Sequence, residues 1–193
     1  LNGYGDSETH SGAITRNLWR QGSFQLSGTG SYAYRTYYNF ASGAETSDKN
    51  IKAWTLTLDA AFQDSFASGG INIASLATII GRLDLSGTPS DYSADSTTAK
   101  TNGSFEKLSA SYIRIQRITD KDSLWLTLTG QYAFDNNLDS AEKMSLGGAT
   151  GVRAYPTSEA NGDHGLMIQA EVRHAFNPFV TAKVFYDWGQ IYQ

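Results

Sequence analysis

The chain has 193 residues, no cysteine, a formal net charge of −4 and 18% charged residues, against about 25% in an ordinary soluble domain. Without cysteine there is no disulfide or thiolate chemistry, and without a basic block there is little to hold nucleic acid. No apolar run approaches the ~18 residues of a membrane helix.

The first residue is Leu rather than Met, and Tyr192-Gln193 ends a strand-like run, so the chain reads as a fragment. Residues 1 to 16 are polar and rich in Gly and Ser, and read as a turn or a worn strand end. Alternation is clear from Phe24. Phe24, Leu26, Gly28, Gly30, Tyr32 and Tyr34 share one face, and Gln25, Ser27, Thr29, Ser31 and Arg35 the other. A period of two with small hydroxyl groups opposite an aromatic face marks a one-sided strand.

Residues 39 to 50 read as a polar connection. Trp54, Leu56, Leu58, Ala60 and Phe62 then oppose Thr55, Thr57, Asp59 and Gln63. A short turn from Asp64 ends in Gly69-Gly70. Ile71, Ile73, Ala77, Ile79, Leu83 and Leu85 form one face of the next segment, with Asn72, Thr78, Arg82 and Asp84 opposite. Residues 86 to 104 are a loop of Ser, Thr, Asp, Asn and Gly. Between 105 and 119 the phase is split, since Leu108, Ala110 and Tyr112 conflict with Ile113 and Ile115; a β-bulge would reconcile them.

After a charged turn at 119 to 122, Leu124, Leu126, Leu128, Gly130, Tyr132 and Phe134 alternate with Trp125, Thr127, Thr129 and Gln131. A long loop, 135–164, carries Ser145 to Tyr155, reading SLGGATGVRAY. Leu166, Ile168, Ala170, Val172 and Phe176 then oppose Gln169, Glu171 and Arg173. After Asn177-Pro178, Val180, Ala182, Val184, Tyr186 and Trp188 oppose Thr181, Lys183, Phe185, Asp187 and Gly189. An arginine in a glycine-rich loop and an acid in a nearby strand suggest that Arg153 meets Asp187 or Glu171.

The connections run long (39–50, 86–104, 135–164) and short (64–70, 119–122, 177–178) in turn. In an antiparallel meander this puts all long loops at one end, as in outer-membrane barrels. The expected fold is therefore all-β, an antiparallel transmembrane β-barrel, with a soluble barrel or sandwich as the alternative. About seven or eight strands with two open edges are part of a larger barrel, because lipid demands a closed sheet. Tyr32, Tyr34, Trp54, Tyr132, Phe134, Tyr186 and Trp188 suit an aromatic girdle or plain cross-strand packing. His10, His164 and His174 have no metal spacing. Asp59 and Asp84 could be imagined as glycosidase carboxylates, but nothing fixes their separation. Glu171 and Arg173 stand two apart on one face, as a lumen pair or as plain wall charges.

Ser145-Leu146-Gly147-Gly148, Val152-Arg153-Ala154-Tyr155, Gly162-Asp163, Glu171-Val172-Arg173 and Phe185-x-Asp187-x-Gly189 resemble a known family. They are similar to motifs in the barrel of two-partner secretion transporters, the haemolysin-activator and filamentous-haemagglutinin-transporter type of the Omp85 superfamily. The family pattern at 152 to 155 is Val-Arg-Gly-Tyr. Ala154 replaces its glycine and implies a less sharply turned tip.

The resemblance implies that residues 1–193 belong to the C-terminal barrel domain of a sixteen-stranded parent behind two periplasmic POTRA domains. The first and last strands and the POTRA domains would lie outside this chain. Loop 135–164 would fold into the lumen, where Arg153 meets Asp187 on the inner wall. The implied activity is passage of an unfolded exoprotein of adhesin or cytolysin type across the outer membrane of a Gram-negative bacterium. No cofactor, metal or covalent chemistry is implied. The partners would be the exoprotein, outer-membrane lipid and lipopolysaccharide, with a monomeric transporter. Rivals are an Omp85-type assembly factor, a passive porin and a soluble sugar-binding β protein.

Overall fold

In the computed structural model, residues 3–134, 137–148, 150–157 and 159–192 are described, so Asp135, Asn136, Ala149 and Ser158 of the long loop lie outside them. Eight strands form one antiparallel sheet in the order β1-β2-β3-β4-β5-β6-β9-β10. They are β1 (Gly3–Gln21), β2 (Phe24–Ala41), β3 (Ala44–Asp64), β4 (Gly70–Asp84), β5 (Gly103–Arg117), β6 (Asp122–Phe134), β9 (His164–Asn177) and β10 (Val180–Tyr192). A helix, α1 (Pro89–Thr97), sits between β4 and β5. A small ribbon, β7 (Met144–Ser145) with β8 (Asn161–Gly162), lies in the long loop.

Two features depart from the sequence reading. Residues 3 to 16 belong to a full strand rather than a worn end. β1 pairs with β2 from Gly3↔Ala41 to Gln21↔Phe24. Polar residues on both faces and a register shift between Asn17 and Trp19 hide its period. Residues 39 to 50 are likewise no loop. β2 and β3 run on to a two-residue turn, Ser42-Gly43, with φ of 52° and 81°. Two successive positive φ values fit the tight turn that matches the twist of paired strands. The hydroxyl-rich sequence there imitates a loop while the ladder continues.

The register assigns the faces. Gln25, Thr29, Thr57, Ser111, Thr127 and Gln169 lie on the inner face, which the long loop covers. On the outer face, Leu56, Leu58, Leu76, Val172, Val184 and Tyr186 are open to the surroundings. Such a continuous apolar surface on a sheet with a polar reverse is the signature of a lipid-facing wall. Tyr32 and Trp54, 4.8 Å apart, mark one border of this band, and Phe24 and Phe62, 6.1 Å apart, the other. From Trp54 to Phe62 is about 27 Å along the strand, or about 20 Å of depth at a tilt near 40°.

The same register settles the ambiguous segments. No bulge interrupts β5. Ile113 and Ile115 lie beside Ile73 and Ile71 on the inner face, while Tyr112 and Arg114 face outward. The apolar side of β4 is thus its inner side. Asn72, fully buried on the outer side, accepts from Tyr112 Oη and Arg114 Nη1 at 2.6 Å and donates to Asp64 Oδ2 at 2.7 Å. At the long-loop end, Ile51, Ala53, Ile79, Leu83, Phe105 and Ala133 make an apolar floor on the inner wall.

A charge on the outer band should cost far more than one on the inner wall. Leu58→Arg is expected to lower stability by about 2–4 kcal/mol and Thr57→Arg by about 1 kcal/mol or less. The urea midpoints of full-length protein refolded into phospholipid vesicles check this.

Candidate functional site

The long loop leaves β6, crosses the inner wall and returns to β9. Its glycine-rich part folds into a lobe standing on the β7–β8 ribbon. Leu146 N–H donates to Ala160 O at 2.9 Å, and Val152 N–H to Leu146 O at 2.7 Å. A Cβ on Gly147 would collide with the Pro156 carbonyl, so the strands of the lobe approach as closely as only glycine permits. Tyr155 N–H donates to Val152 O at 3.0 Å. The turn at the tip forms with Ala154 outside the positive-φ region. Ala154 therefore carries none of the backbone strain that only glycine relieves.

That turn aims Arg153 at two strands. Its Nε donates to Asp187 Oδ2 at 2.8 Å, its Nη2 to Asp187 Oδ1 at 2.9 Å, and its Nη1 to Glu171 Oε2 at 2.7 Å. The Arg153 backbone N–H adds a bond to Asp187 Oδ2 at 3.0 Å. Both carboxylate oxygens of Asp187 are thus engaged by one guanidinium, the fork geometry that a lysine cannot reproduce. The Asp187 side chain is 4% exposed and that of Arg153 35%. Hydrogen bonds to Asp187 and, behind them, Glu171 push the Arg153 pKa further up, so its charge is permanent at working pH.

The neighbours extend the cluster. Glu171 also accepts from Arg173 Nε at 2.5 Å, and Lys183 Nζ lies 3.9 Å from it. The Arg153 guanidinium sits 3.7 Å from the Phe185 ring centre and that of Arg173 3.6 Å from Trp125, distances at which cation–π attraction adds to the ion pairs. Glu171 and Arg173 are therefore directly paired rather than independent wall charges. Gln169 Nε2 donates to Gly151 O at 2.8 Å. Val152 is buried with Leu146, Met144 and Met167. At Gly189 a Cβ would stand 2.6 Å from Leu146 Cδ2 and 3.4 Å from Val152 Cγ2. Gly189 therefore leaves room for the lobe, while Tyr155 stays half-exposed at the tip.

A second fastening, at the start of the loop, was not singled out from the sequence. Glu142, 4% exposed in its side chain, lies between Lys107 Nζ at 2.9 Å and Arg35 Nη2 at 2.5 Å. The Arg35 contact is an ion pair out of line for a hydrogen bond, and among the described residues Arg35 Nε has no acceptor. Lys107 Nζ also donates to the Glu142 carbonyl at 2.6 Å, and Lys49 Nζ to both oxygens of Asp139 at 2.7 and 2.9 Å. Leu138, fully buried, fills the apolar floor. The only hint in the sequence was Arg35 on the polar phase of its strand, since Lys107 falls in the segment of split phase.

The full chain, residues 1–193, matches the family model described as haemolysin secretion/activation protein ShlB/FhaC/HecB. It is 39% identical over 66 residues to the heme/hemopexin transporter protein HuxB of Haemophilus influenzae, a match covering 32% of this chain and 12% of that protein. It is 28% identical over 168 residues to the outer membrane transporter CdiB of Dickeya dadantii, covering 87% of this chain and 29% of that protein. These matches therefore span less than a third of each curated relative. Among solved structures, CdiB from Escherichia coli superposes with a TM-score of 0.81 at 21% identity, over 97% of this chain and 35% of that one. CdiB from Acinetobacter baumannii gives 0.75 at 18%, over 99% and 33%.

Filling the space at Gly189 should unseat the lobe while leaving the sheet. Gly189→Val is expected to speed tryptic cleavage after Arg153 in the folded full-length protein, and fragment sequencing reads the site. The chain belongs to the haemolysin secretion/activation family ShlB/FhaC/HecB, and its sheet is a segment of an outer-membrane β-barrel.

Proposed function

We propose that the parent protein exports an unfolded partner exoprotein, of haemolysin or adhesin type, through its barrel. The observation that carries this reading is the loop on the inner wall, with Arg153 forked onto Asp187 and bound to Glu171. Family membership supports the same reading, and it favours export over assembly of other barrels.

The mechanism is a conduit without covalent chemistry. The inner wall offers hydroxyls, amides and paired charges to an extended chain, so the chain's backbone groups exchange water for wall contacts at little net cost. The Val152–Tyr155 tip, with Arg153, adjusts as the chain passes, and Phe185, Asp187 and Gly189 form its seat. Folding of the exoprotein outside draws the chain forward. The outer band meets membrane lipid, with lipopolysaccharide at the long-loop end, and the barrel works as a monomer. Residues 1–193 supply part of the C-terminal barrel domain, and loop 135–164 its lumenal element.

The test separates position from mere stability. In the full-length protein, Asp187→Ala or Arg153→Asp is expected to cut exoprotein release into the medium about tenfold or more, since loss of one partner strands a buried charge. The reciprocal swap, Arg153→Asp with Asp187→Arg, is expected to recover part of it. Barrel abundance in the outer membrane, read from heat-modifiable mobility, should stay level. Unchanged release in both single variants would remove the clasp from the mechanism.

A further inference from the structure

The outer face carries two cations just beyond the aromatic border at the long-loop end. On β3, Lys52 stands one step outward from Trp54, and on β4, Arg82 stands one step outward from Ile80. The ladder sets them directly opposite each other, Lys52↔Arg82, and both are exposed. Like charges so opposed on one face, with Cβ atoms about 5 Å apart, destabilise a sheet. Tyr34 lies on the other side of Lys52, in the register Tyr34↔Lys52, and the ammonium is 5.6 Å from its ring centre. One row of the outer wall thus reads Tyr34, Lys52, Arg82.

Two acids flank the pair on the same face. Asp84 lies one step further out, where it accepts from the Ser86 N–H at 2.9 Å, and Glu106 lies on the side toward the hydrocarbon, opposite Ile80. Among the described residues, no acid forms an ion pair with Lys52 or Arg82. The other border of the band is built differently. There the outward cation Arg114 meets Asp64 through two nitrogens, at 2.7 and 3.1 Å, so the protein supplies the counter-charge itself. At the long-loop border the counter-charge is left to the surroundings. Two residues beyond Trp54 is about 7 Å along the strand, or about 5 Å of depth at a tilt near 40°. At that level acyl chains give way to headgroups.

We infer that Lys52 and Arg82 form a binding site for a phosphate group on the headgroup of an outer-leaflet glycolipid, with Tyr34 Oη as a third donor. Arg82 offers a planar fork and Lys52 a point charge. An anion held between them turns their mutual repulsion into two attractions. The glycolipid of a Gram-negative outer leaflet carries phosphates on its sugars, directly above its acyl chains, which is the level of this row. The glycolipid assignment rests on the reading above that the long-loop end faces outward, and it is independent of what the barrel exports.

The test uses full-length protein in detergent, with a chelator present so that no divalent ion bridges the phosphates. Isothermal titration measures binding of bisphosphorylated lipid A, with its dephosphorylated form, phosphatidylglycerol and inorganic phosphate as comparisons. Lys52→Gln combined with Arg82→Gln is expected to weaken lipid A binding about tenfold or more. Removing both phosphates from the ligand should cost the unsubstituted protein as much and the double variant almost nothing, because the two changes remove the same contacts. Lys52→Arg, which keeps the charge, should stay within about threefold. Heat-modifiable mobility checks that each variant is a folded barrel. Equal binding of the two lipid A forms by the unsubstituted protein, or undiminished binding by the folded double variant, would overturn the site. Phosphatidylglycerol binding as tight as that of lipid A, or displacement of lipid A by excess inorganic phosphate at constant ionic strength, would overturn its assignment to a glycolipid. Lipid A binding as expected, with Glu45→Cys beyond the reach of an impermeant thiol reagent on intact cells, would instead count against the outward orientation alone.

Discussion

Hydrocarbon against one face of a wall makes the other face the cheaper place for charge, and charges held there in low dielectric need partners. The inner face of this sheet has a basic region, Arg35, Lys49 and Lys107, and a second region where the acids Glu171 and Asp187 stand beside Arg173 and Lys183. The long loop supplies the counter-charges in matching order, acids first and the arginine later. Laid the other way, it would set like charges against each other. Electrostatic pairing thus fixes the direction in which the loop crosses the wall, and apolar packing at Leu138, Leu146 and Val152 fixes its height.

Magnitudes rank the contacts. The stacking of Arg153 on Phe185 is worth about 0.5–2 kcal/mol. Stranding a buried carboxylate by removing its cation costs about 3–5 kcal/mol, and Asp187 is buried with both oxygens committed to Arg153. The fork therefore governs the clasp, and the ring orients it. Gly189 matters for a different reason. It stabilises nothing itself, but it leaves the space in which Leu146 and Val152 bring the arginine within reach.

Parts of this arrangement were legible because they obey a local period. Asp187 falls on the polar phase of an alternating strand, so its inward direction follows from counting by two. Family motifs then pointed to its partner. Glu142 carries no such mark. Its neighbours, Asp139-Ser140-Ala141, read as a solvated loop, and the cations that meet it lie on β2 and β5, far away in sequence. Only the register of the sheet brings them together. Residues 3–11 of β1 and the 39–50 hairpin were illegible for a related reason. Beyond the lipid band a strand has no hydrocarbon to face, so nothing requires alternation while the backbone ladder persists.

The isoleucines carry the same point further. Ile71, Ile73, Ile113 and Ile115 form an apolar strip on the inner wall, toward the short-turn end and away from the floor under the loop. Polarity alone would assign them to lipid, and the split phase of residues 105–119 came from that assumption. A hydrated bore does not require every wall residue to be polar; it requires that backbone groups and charges shut away from water find partners. The strand ladders pair the backbone within the sheet, and the loop pairs the charges it covers. With both met, aliphatic side chains on the inner wall cost only their contact with water, and the outer face can in turn hold a buried Asn72 because Asp64, Tyr112 and Arg114 complete its hydrogen bonds.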